Sequence, residues 1–476
     1  MTGEDKTDGD AMQKGIQMAI DRAEKEGILK EKRIELLFFN DQKERSAALK
    51  TAIKISENDQ IIFVLGNYYS LTSEIAGPVY RKNGIPVITA SATLDSLTIG
   101  NEFFFRVIPN TQSMVTFASN YMKHNLKNNQ VSIIYDKDGY GSGLMNGFEK
   151  LSKELGIEII NSWGFDRENK NVTREIKEII SRIRTINDPG ILFFATHPSE
   201  AIQMITSLKY EGTQYTIIGP DSFASPLFIE AFNHFSNDEK VSPGYYTNGI
   251  YAISPFLLDM GDEESLNFSR QYLKNYGEKP SWIASCYYDA MWTALNALER
   301  IDMHAVGGDV RDIRRRLRDR LAMFNSEENS VKGITGKLFF DTQSNVNRVL
   351  HMGMYQNQVL LPSFQQYEAN NTYYLTNSQF PNIQVVYSGI DINEIGKLVI
   401  KDSDSFSLDF FIWFRFQDEF DVSGICFPDA LTPIQLDIPI RTETIDHITT
   451  KTYRVKTSFH GDFDLSNYPF DQQTLP

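Results

Sequence analysis

Residues 61–70 have the sequence IIFVLGNYYS, which shows the pattern typical of the first part of this chain. The apolar run Ile61 to Leu65 predicts a short strand buried on both faces, as in a parallel sheet covered by helices. Gly66 ends the run, and Ser70 stands where a helix-length amphipathic segment begins. Upstream, another amphipathic segment separates this strand from the apolar run Ile34 to Phe39, which also predicts a strand. The alternation predicts βαβ units.

The same alternation of predicted strands and helices continues toward the C-terminus. Further strands flanked by helix-length amphipathic segments are predicted at Pro86–Thr89, Val131–Tyr135, Ile157–Trp163, Ile191–Phe194 and Thr216–Gly219. After residue 248 come consecutive helical segments at Glu263–Tyr276, Trp282–Ile301 and Val310–Phe324. A hairpin-like group of short strands follows at Lys337–Phe340, Arg348–Tyr355 and Val359–Leu361. The fold class predicted for this part is α/β.

The last part of the chain has a different period. Residues 366–382 are polar and are predicted to be an interdomain linker. From Leu408 to Phe416 the apolar residues recur with a period of two, which predicts a strand with one core face. Further strands are predicted at Lys397–Ile400, Ile434–Ile440 and Thr452–Phe459. Because no long helical segment intervenes, residues 383–476 are predicted to be all-β.

The net charge and the hydropathy of the chain limit the classes of function that it can have. The formal net charge is −15 and the pI is near 5.1, so the surface repels phosphate backbones and nucleic acid is excluded as a partner. The arginine-rich run at residues 311–320 carries Ile313, Leu317 and Leu321 at helical spacing, and we interpret it as a solvated helix face. No apolar stretch approaches the ~18 residues needed to cross a bilayer.

Motifs of catalysis are missing from the sequence. It contains no Ser/His/Asp elbow, Walker loop, Cys/His cluster or Gly-x-Gly-x-x-Gly signature, so we expect a protein that is not an enzyme and needs no cofactor or metal. One alternative is the triplet Asp136-Lys137-Asp138 after a predicted strand, since the paired carboxylates of a nucleotide-sugar glycosyltransferase hold a divalent ion in this way. No second charged cluster supports that alternative.

Polar side chains fall just past the carboxyl ends of several predicted strands, where open α/β sheets bind ligands. The hydroxyls of Ser70 and Thr93, with the free N–H groups at a helix start, suit an α-carboxylate. Asp221, in a turn after an apolar strand, suits an ammonium group. Helix N-caps are the structural alternative for both hydroxyls. The pattern therefore predicts a receptor for a zwitterion.

The order and spacing of the segments that follow strands are specific. They are Gly66–Ser70, Pro86–Thr93, Phe104–Val107, Tyr135–Gly141 and Ile218–Asp221. Through them, residues 10–362 resemble the branched-chain amino-acid binding proteins of ABC importers, which have the type I periplasmic-binding fold. The resemblance implies a two-lobed α/β clamp that closes on its ligand. It places residues 10–117 and 249–325 in lobe 1 and residues 118–248 and 326–365 in lobe 2, with hinges near residues 118, 248 and 325.

The resemblance also implies ligand contacts, residue by residue. The head group of an amino acid is expected to contact Ser70, Ser91 and Thr93 from one lobe. Asp221 is expected to form an ion pair with the ammonium group from the other lobe. Aspartate stands here where the family commonly has glutamate, which leaves another polar metabolite open as the ligand.

Pocket-lining positions are carried over in the same way. Tyr140 and His197 match such positions. Tyr68 or Tyr69 is expected to line the end of the pocket that determines ligand specificity. For His197 a surface or capping role is equally open. The family's opening strand should precede the first helix, yet this chain begins almost inside that helix, so the sheet is expected to lack one strand.

The C-terminal part carries a second resemblance. Residues 463–473 read FDLSNYPFDQQ, and residues 383–476 resemble the start of the extracellular β-sandwich of pentameric ligand-gated ion channels. The resemblance implies that Tyr468, Pro469, Phe470 and Asp471 form the loop that couples agonist binding to a pore. It also implies membrane attachment through segments outside this chain and a homo-oligomer, a pentamer if the protein is channel-like. An unrelated β-sandwich is the alternative.

Together these features predict the ligand-binding ectodomain of a membrane receptor, located in the periplasm or outside the cell. Its partner is expected to be a small, amino-acid-like molecule, and a ligand-gated ion channel is the favoured receptor type. Two alternatives stay open within the same class. One is an ABC-transporter-type solute-binding protein, and the other is the sensor of a kinase or cyclase with an accessory β-domain.

Overall fold

The computed structural model describes residues 6–28, 33–209, 215–302, 309–367, 382–399, 404–445 and 447–461. They form two compact units. The first runs to Pro362 and includes Tyr367, and the second consists of Ser363–Gln366 and the described residues from Asn382 onward. The first unit has two lobes, each built on its own sheet.

Lobe 1 has a parallel three-stranded sheet of β1 (Val64–Leu65), β2 (Val87–Thr89) and β3 (Phe104–Arg106), in that order. Its helices are α1 (Lys6–Lys25), α2 (Arg45–Ser56), α3 (Ser70–Lys82), α10 (Glu263–Tyr276), α11 (Trp282–Glu299) and α12 (Val310–Ala322). Helix α1 packs closely on α11, because a Cβ on Gly15 would lie 2.0 Å from the carbonyl oxygen of Ala284. Glycine is therefore required at this helix contact.

Lobe 2 has a seven-stranded sheet in the order β12-β11-β8-β7-β6-β4-β5. Its strands are β4 (Gln130–Asp136), β5 (Glu158–Phe165), β6 (Ile191–Ala195), β7 (Ile217–Gly219), β8 (Tyr251–Ser254), β11 (His351–Gln356) and β12 (Val359–Pro362). Strands β4 to β8 are parallel, and the β11–β12 hairpin is antiparallel to β8.

Helices cover both faces of this second sheet. They are α4 (Thr111–His124), α5 (Gly139–Leu155), α6 (Val172–Thr185), α7 (Pro198–Leu208), α8 (Pro226–Phe235) and α9 (Asn237–Val241). Successive residues of β4 serve opposite faces, since Ile133 packs with α4 and α5 while Ile134 packs with α6 and α7. This double burial explains why the strands read as continuous apolar runs rather than as alternating ones.

The chain crosses between the lobes at positions that differ from the predicted hinges. Strand β8 belongs to the second sheet, so the chain leaves lobe 2 after Ser254 rather than near residue 248. Val346 still packs in the core of lobe 1, so the return to lobe 2 comes between Val346 and His351 rather than near residue 325. The first crossing lies between Arg106 and Thr111, because α4 already packs in the lobe 2 core.

The predicted strand Ile34–Phe39 is wrong. The segment has no regular secondary structure, and the side chains of Leu37 and Phe38 are 45% and 63% exposed. In the described part of the chain no strand pairs with it, and an apolar run without a neighbouring backbone cannot form a ladder. The predicted strand Lys337–Phe340 is β10 (Gly336–Leu338), which pairs with an unpredicted strand, β9 (Val331–Gly333).

The second unit contains a four-stranded antiparallel sheet in the order β15-β16-β18-β17. The strands are β15 (Tyr387–Val399), β16 (Ser405–Gln417), β17 (Arg441–Ile445) and β18 (Ile448–His460), and β13 (Gln365–Tyr367) pairs with β14 (Asn382–Gln384). The strand predicted from the period of two between Leu408 and Phe416 is confirmed as β16, because Phe410, Ile412 and Phe414 are all buried in one cluster.

Two expectations for this unit need correction, and the predicted coupling loop lies outside the described residues. Residues 434–440 are not a strand, because the chain runs irregularly there before β17. Within the described residues the unit is β-rich and antiparallel, without a second large sheet stacked to make a clear sandwich. The coupling-loop residues Tyr468, Pro469, Phe470 and Asp471 lie outside the described residues, as does most of the predicted linker.

Candidate functional site

A cavity of about 1480 Å³ lies where the carboxyl ends of the strands of both lobes meet. Lobe 1 lines it with the start of α3 and the loop after β2, and lobe 2 lines it with the loops after β4, β6 and β7. Six of the predicted ligand-binding residues line this cavity: Tyr69, Ser70, Ser91, Tyr140, His197 and Asp221. Tyr68, the other specificity candidate, lines it too.

On the lobe 1 side, hydroxyl groups join the loops that carry them. Tyr69 occupies the N-cap position of α3 and Ser70 is its first residue, so Ser70 is not the predicted cap. The Ser70 Oγ accepts hydrogen bonds from the backbone N–H groups of Thr93 and Leu94, each at 3.3 Å. The Ser91 hydroxyl donates to the backbone oxygen of Tyr68 at 2.8 Å. These contacts hold the start of α3 against the loop after β2.

Thr93 is the predicted residue that the structure does not bring to the cavity wall. It is completely buried behind Ser70 and does not line the cavity. Thr111 Oγ1 donates to the Thr93 carbonyl at 3.1 Å and lies 3.4 Å from the Thr93 hydroxyl. The Thr93 side chain therefore contacts α4 rather than the cavity, and its contact with a ligand head group stays a prediction.

On the lobe 2 side, Asp221 and Tyr140 form one unit. Asp221 begins a short 3-10 helix after β7 and is 4% exposed. The Tyr140 hydroxyl, from the first turn of α5, donates to Asp221 Oδ1 at 2.5 Å. Burial raises the pKa of Asp221 to about 6, while the hydrogen bond from Tyr140 lowers it in part. Near neutral pH this leaves a carboxylate at the wall of the cavity.

His197 stands at the N-cap position of α7, but its ring does not cap that helix. Its Nε2 atom lies 2.8 Å from Asp138 Oδ2, and its ring stacks on Tyr140 with a centroid distance of 5.2 Å. The ring of Tyr69 meets it edge-on at 5.8 Å. His197 is therefore held by groups of the cavity wall, and this contradicts a plain surface or capping role.

Asp138 and Asp136 complete this corner of the cavity. Asp138 caps α5, since its Oδ1 accepts from the Gly141 N–H at 2.8 Å. Asp136, the last residue of β4, is 1% exposed, and its Oδ2 has no hydrogen-bond partner. The guanidinium of Arg167 lies 3.9 Å from that oxygen and 3.9 Å from a Glu200 carboxylate oxygen.

Sequence reasoning missed the contribution of α1. Asp8 lies in its first turn, lines the cavity and is 2% exposed. The Tyr68 hydroxyl donates to Asp8 Oδ2 at 2.7 Å, and burial raises the pKa of Asp8 to about 6. No local pattern could have identified this residue, because only the packing of α1 brings it beside Tyr68.

The part of the chain that forms the lobes matches a known family. A family model described as "Periplasmic binding protein" matches residues 1–359. The Leu, Ile, Val, Thr and Ala-binding protein of Pseudomonas aeruginosa is 25% identical over 214 residues, which covers 45% of this chain and 56% of that protein. The Leu/Ile/Val-binding protein of Escherichia coli is 24% identical over 218 residues, covering 46% and 58%. This chain thus spans a little over half the length of these curated relatives, which are named as binding proteins.

Solved structures give the same fold. The branched-chain amino acid transporter substrate-binding protein LivJ of Streptococcus pneumoniae, in complex with isoleucine, superposes with a TM-score of 0.63 and 23% identity, covering 74% of this chain and 93% of that one. The leucine-binding protein LivK of Thermotoga maritima also gives a TM-score of 0.63, with 18% identity and coverage of 75% and 93%. Within the described residues, no helix combines the length and apolar character needed to span a bilayer.

Proposed function

The chain belongs to the periplasmic binding protein family, and we propose that its cleft binds an α-amino acid and closes on it. The observation that carries the proposal is the cavity shared by two lobes, with the hydroxyls of Ser70 and Ser91 on one wall and the Asp221 carboxylate on the other. Family membership also supports a periplasmic or extracellular location. The relatives named for binding leucine, isoleucine and valine make aliphatic amino acids the first ligands to test.

The two walls have the chemistry that a zwitterion requires. Ser70 stands at the start of α3, where unpaired N–H groups and the helix dipole favour a carboxylate. Asp221 offers a buried negative charge to the ammonium group, and Tyr140 holds that carboxylate in place. A ligand that contacts both walls favours the closed clamp by its differential affinity for that state. The crossings between the lobes are the natural hinges of this closure.

The test is the Asp221→Ala variant. Its affinity for leucine should fall by well over ~10-fold, because a buried ammonium group would lose its counter-charge. Isothermal titration calorimetry measures this directly. Asp166→Ala is the matched control, since Asp166 is an exposed carboxylate at the rim of the same cavity and should leave the affinity unchanged. Unchanged affinity in Asp221→Ala would exclude the proposed role.

For the whole protein we propose a receptor ectodomain that signals ligand binding by closure. The antiparallel β unit after the clamp favours this over a simple transport role, because a solute binder that only delivers its ligand needs no such unit. A channel of the pentameric type is the receptor that the C-terminal sequence resembles. An ABC-transporter-type solute-binding protein is the second candidate, and the family of the clamp supports it.

One pair of assays separates the two candidates. Amino-acid-evoked ion current in membranes carrying the full-length protein would support the channel receptor. Restored amino-acid uptake in cells that lack their own solute-binding protein would support transport instead.

A further inference from the structure

We propose that Asp136, Asp138 and His197 form a binding site for a divalent transition-metal ion such as Zn²⁺ in the lobe 2 wall of the cleft. The inference does not depend on amino-acid binding, because the site is built from lobe 2 alone. From the sequence, Asp136 and Asp138 are expected as ion ligands only for a glycosyltransferase, and His197 is not among those ligands.

Three separate elements bring the donor atoms together. Asp136 ends β4, Asp138 is the N-cap of α5, and His197 is the N-cap of α7. One potential ligand atom from each residue lies within 4.8 Å of the other two, and all three residues line the cavity. Two carboxylate oxygens and one imidazole nitrogen form a donor set suited to zinc and its neighbours among the transition metals.

The Asp136 carboxylate is a second, independent observation that favours a cation ligand. Its Oδ2 has no hydrogen-bond partner although the residue is 1% exposed, and a buried oxygen in this state is costly. Arg167 stands 3.9 Å away, beyond hydrogen-bond distance, and lies equally far from Glu200. The carboxylates of Asp136, Asp138 and Glu200 thus share the guanidinium of Arg167.

The existing hydrogen bond between His197 and Asp138 is compatible with the ion. A metal ligated by His197 Nε2 and Asp138 Oδ2 takes the place of the proton that these atoms share at 2.8 Å, and that proton passes to solvent. Asp138 Oδ1 stays bonded to the Gly141 N–H, which orients the ligating oxygen as an outer contact does in known metal sites. Three protein ligands leave a fourth position open toward the cleft.

The experiment titrates Zn²⁺ alone into the full chain, without amino acid, by isothermal titration calorimetry. Wild type should bind one equivalent, and Asp136→Asn should weaken binding by at least ~10-fold, since loss of outer contacts alone costs that much in metal sites. Asp166→Asn and His234→Gln are the matched controls, because both residues line the cavity at exposed positions outside the site, and both should bind as wild type does.

Arg167→Gln makes the sharper test. A metal site predicts tighter Zn²⁺ binding, since the variant removes a competing positive charge 3.9 Å from Asp136 Oδ2. A merely structural ion pair predicts no gain in zinc affinity. Co²⁺ in place of Zn²⁺ should give a visible absorption band in wild type that His197→Gln abolishes, which still tests the site if Asp136→Asn fails to fold.

Three outcomes would overturn the proposal. They are no Zn²⁺ binding to wild type in the micromolar range, unchanged binding in folded Asp136→Asn, and equal losses in the control variants. Loss of amino-acid binding in Asp221→Ala with zinc binding intact would separate this site from the proposed ligand site.

Discussion

At the scale of single residues, burial and the hydrogen bond from Tyr140 act on the pKa of Asp221 in opposite directions. The carboxylate is buried, so its pKa rises to about 6, and the hydroxyl of Tyr140 opposes that rise. Tyr140 from α5 and His197 from α7 face Asp221. The thiol of Cys286 is also near, and the charge of Asp221 raises the pKa of that thiol. An ammonium ligand requires the ionised form of Asp221.

Amino-acid affinity should therefore depend on pH. A carboxyl whose pKa is about 6 in the free protein is protonated as the pH falls below that value, so affinity should drop by about tenfold per pH unit there and level off above it. Calorimetry at pH 5, 6 and 7.5 measures this dependence, because these values lie about one pH unit or more below, at, and above the pKa of Asp221. In Tyr140→Phe the midpoint should move to higher pH, since a hydrogen bond that lowers the pKa is lost. A midpoint that stays in place would contradict the assigned role of Tyr140.

At the scale of elements, the start of α5 is fixed by close backbone contact. Asp138 caps the helix, and Gly141 lies against the ends of two strands. A Cβ on Gly141 would lie 2.3 Å from the carbonyl oxygen of Asp136 and 2.6 Å from that of Ala195. Because both atoms belong to the backbone, they cannot move aside as a flexible side chain would. This contact sets the position of Tyr140 in the cavity.

Gly141→Ala should destabilise the protein by about 1–3 kcal/mol, the usual cost of forcing extra atoms into a packed site. Gly139→Ala is the matched control in the same helical turn, since its Cβ would meet only a Leu94 methyl group at 3.6 Å, an ordinary contact. It should change the free energy of unfolding by less than about 1 kcal/mol. Urea denaturation measures both variants, and equal effects of the two would refute the argument.

At the scale of the whole molecule, two lobes share one ligand, so binding should stabilise the folded clamp. A ligand that binds only the native state, at a concentration of ~100 times its Kd, adds about 2.7 kcal/mol. Differential scanning calorimetry should accordingly show a higher Tm with leucine than without it. Asp221→Asn at the same leucine concentration should show little shift. A Tm that leucine leaves unchanged in wild type, at a concentration that saturates binding in calorimetry, would contradict this prediction.

Local sequence patterns predicted most of the helices and strands and the α/β class of the first unit. A strand buried on both faces must be apolar throughout, so the runs near Val131, Ile191 and Ile217 were visible as strands without the structure. The antiparallel sheet was equally visible in the period of two around Phe410. The place of the cavity followed as well, because the loops at the carboxyl ends of parallel strands leave a cleft there. These features depend on local order along the chain.

Which side chains meet depends on the three-dimensional packing of the chain. Asp138 and His197 are 59 residues apart and become neighbours because β4 and β6 are adjacent strands. Thr93 lies behind Ser70. The apolar run at residues 34–39 has no strand partner in the described residues. Both outcomes depend on packing that hydropathy does not encode. Distances across a fold depend on the packing of distant segments, and local sequence carries no record of them.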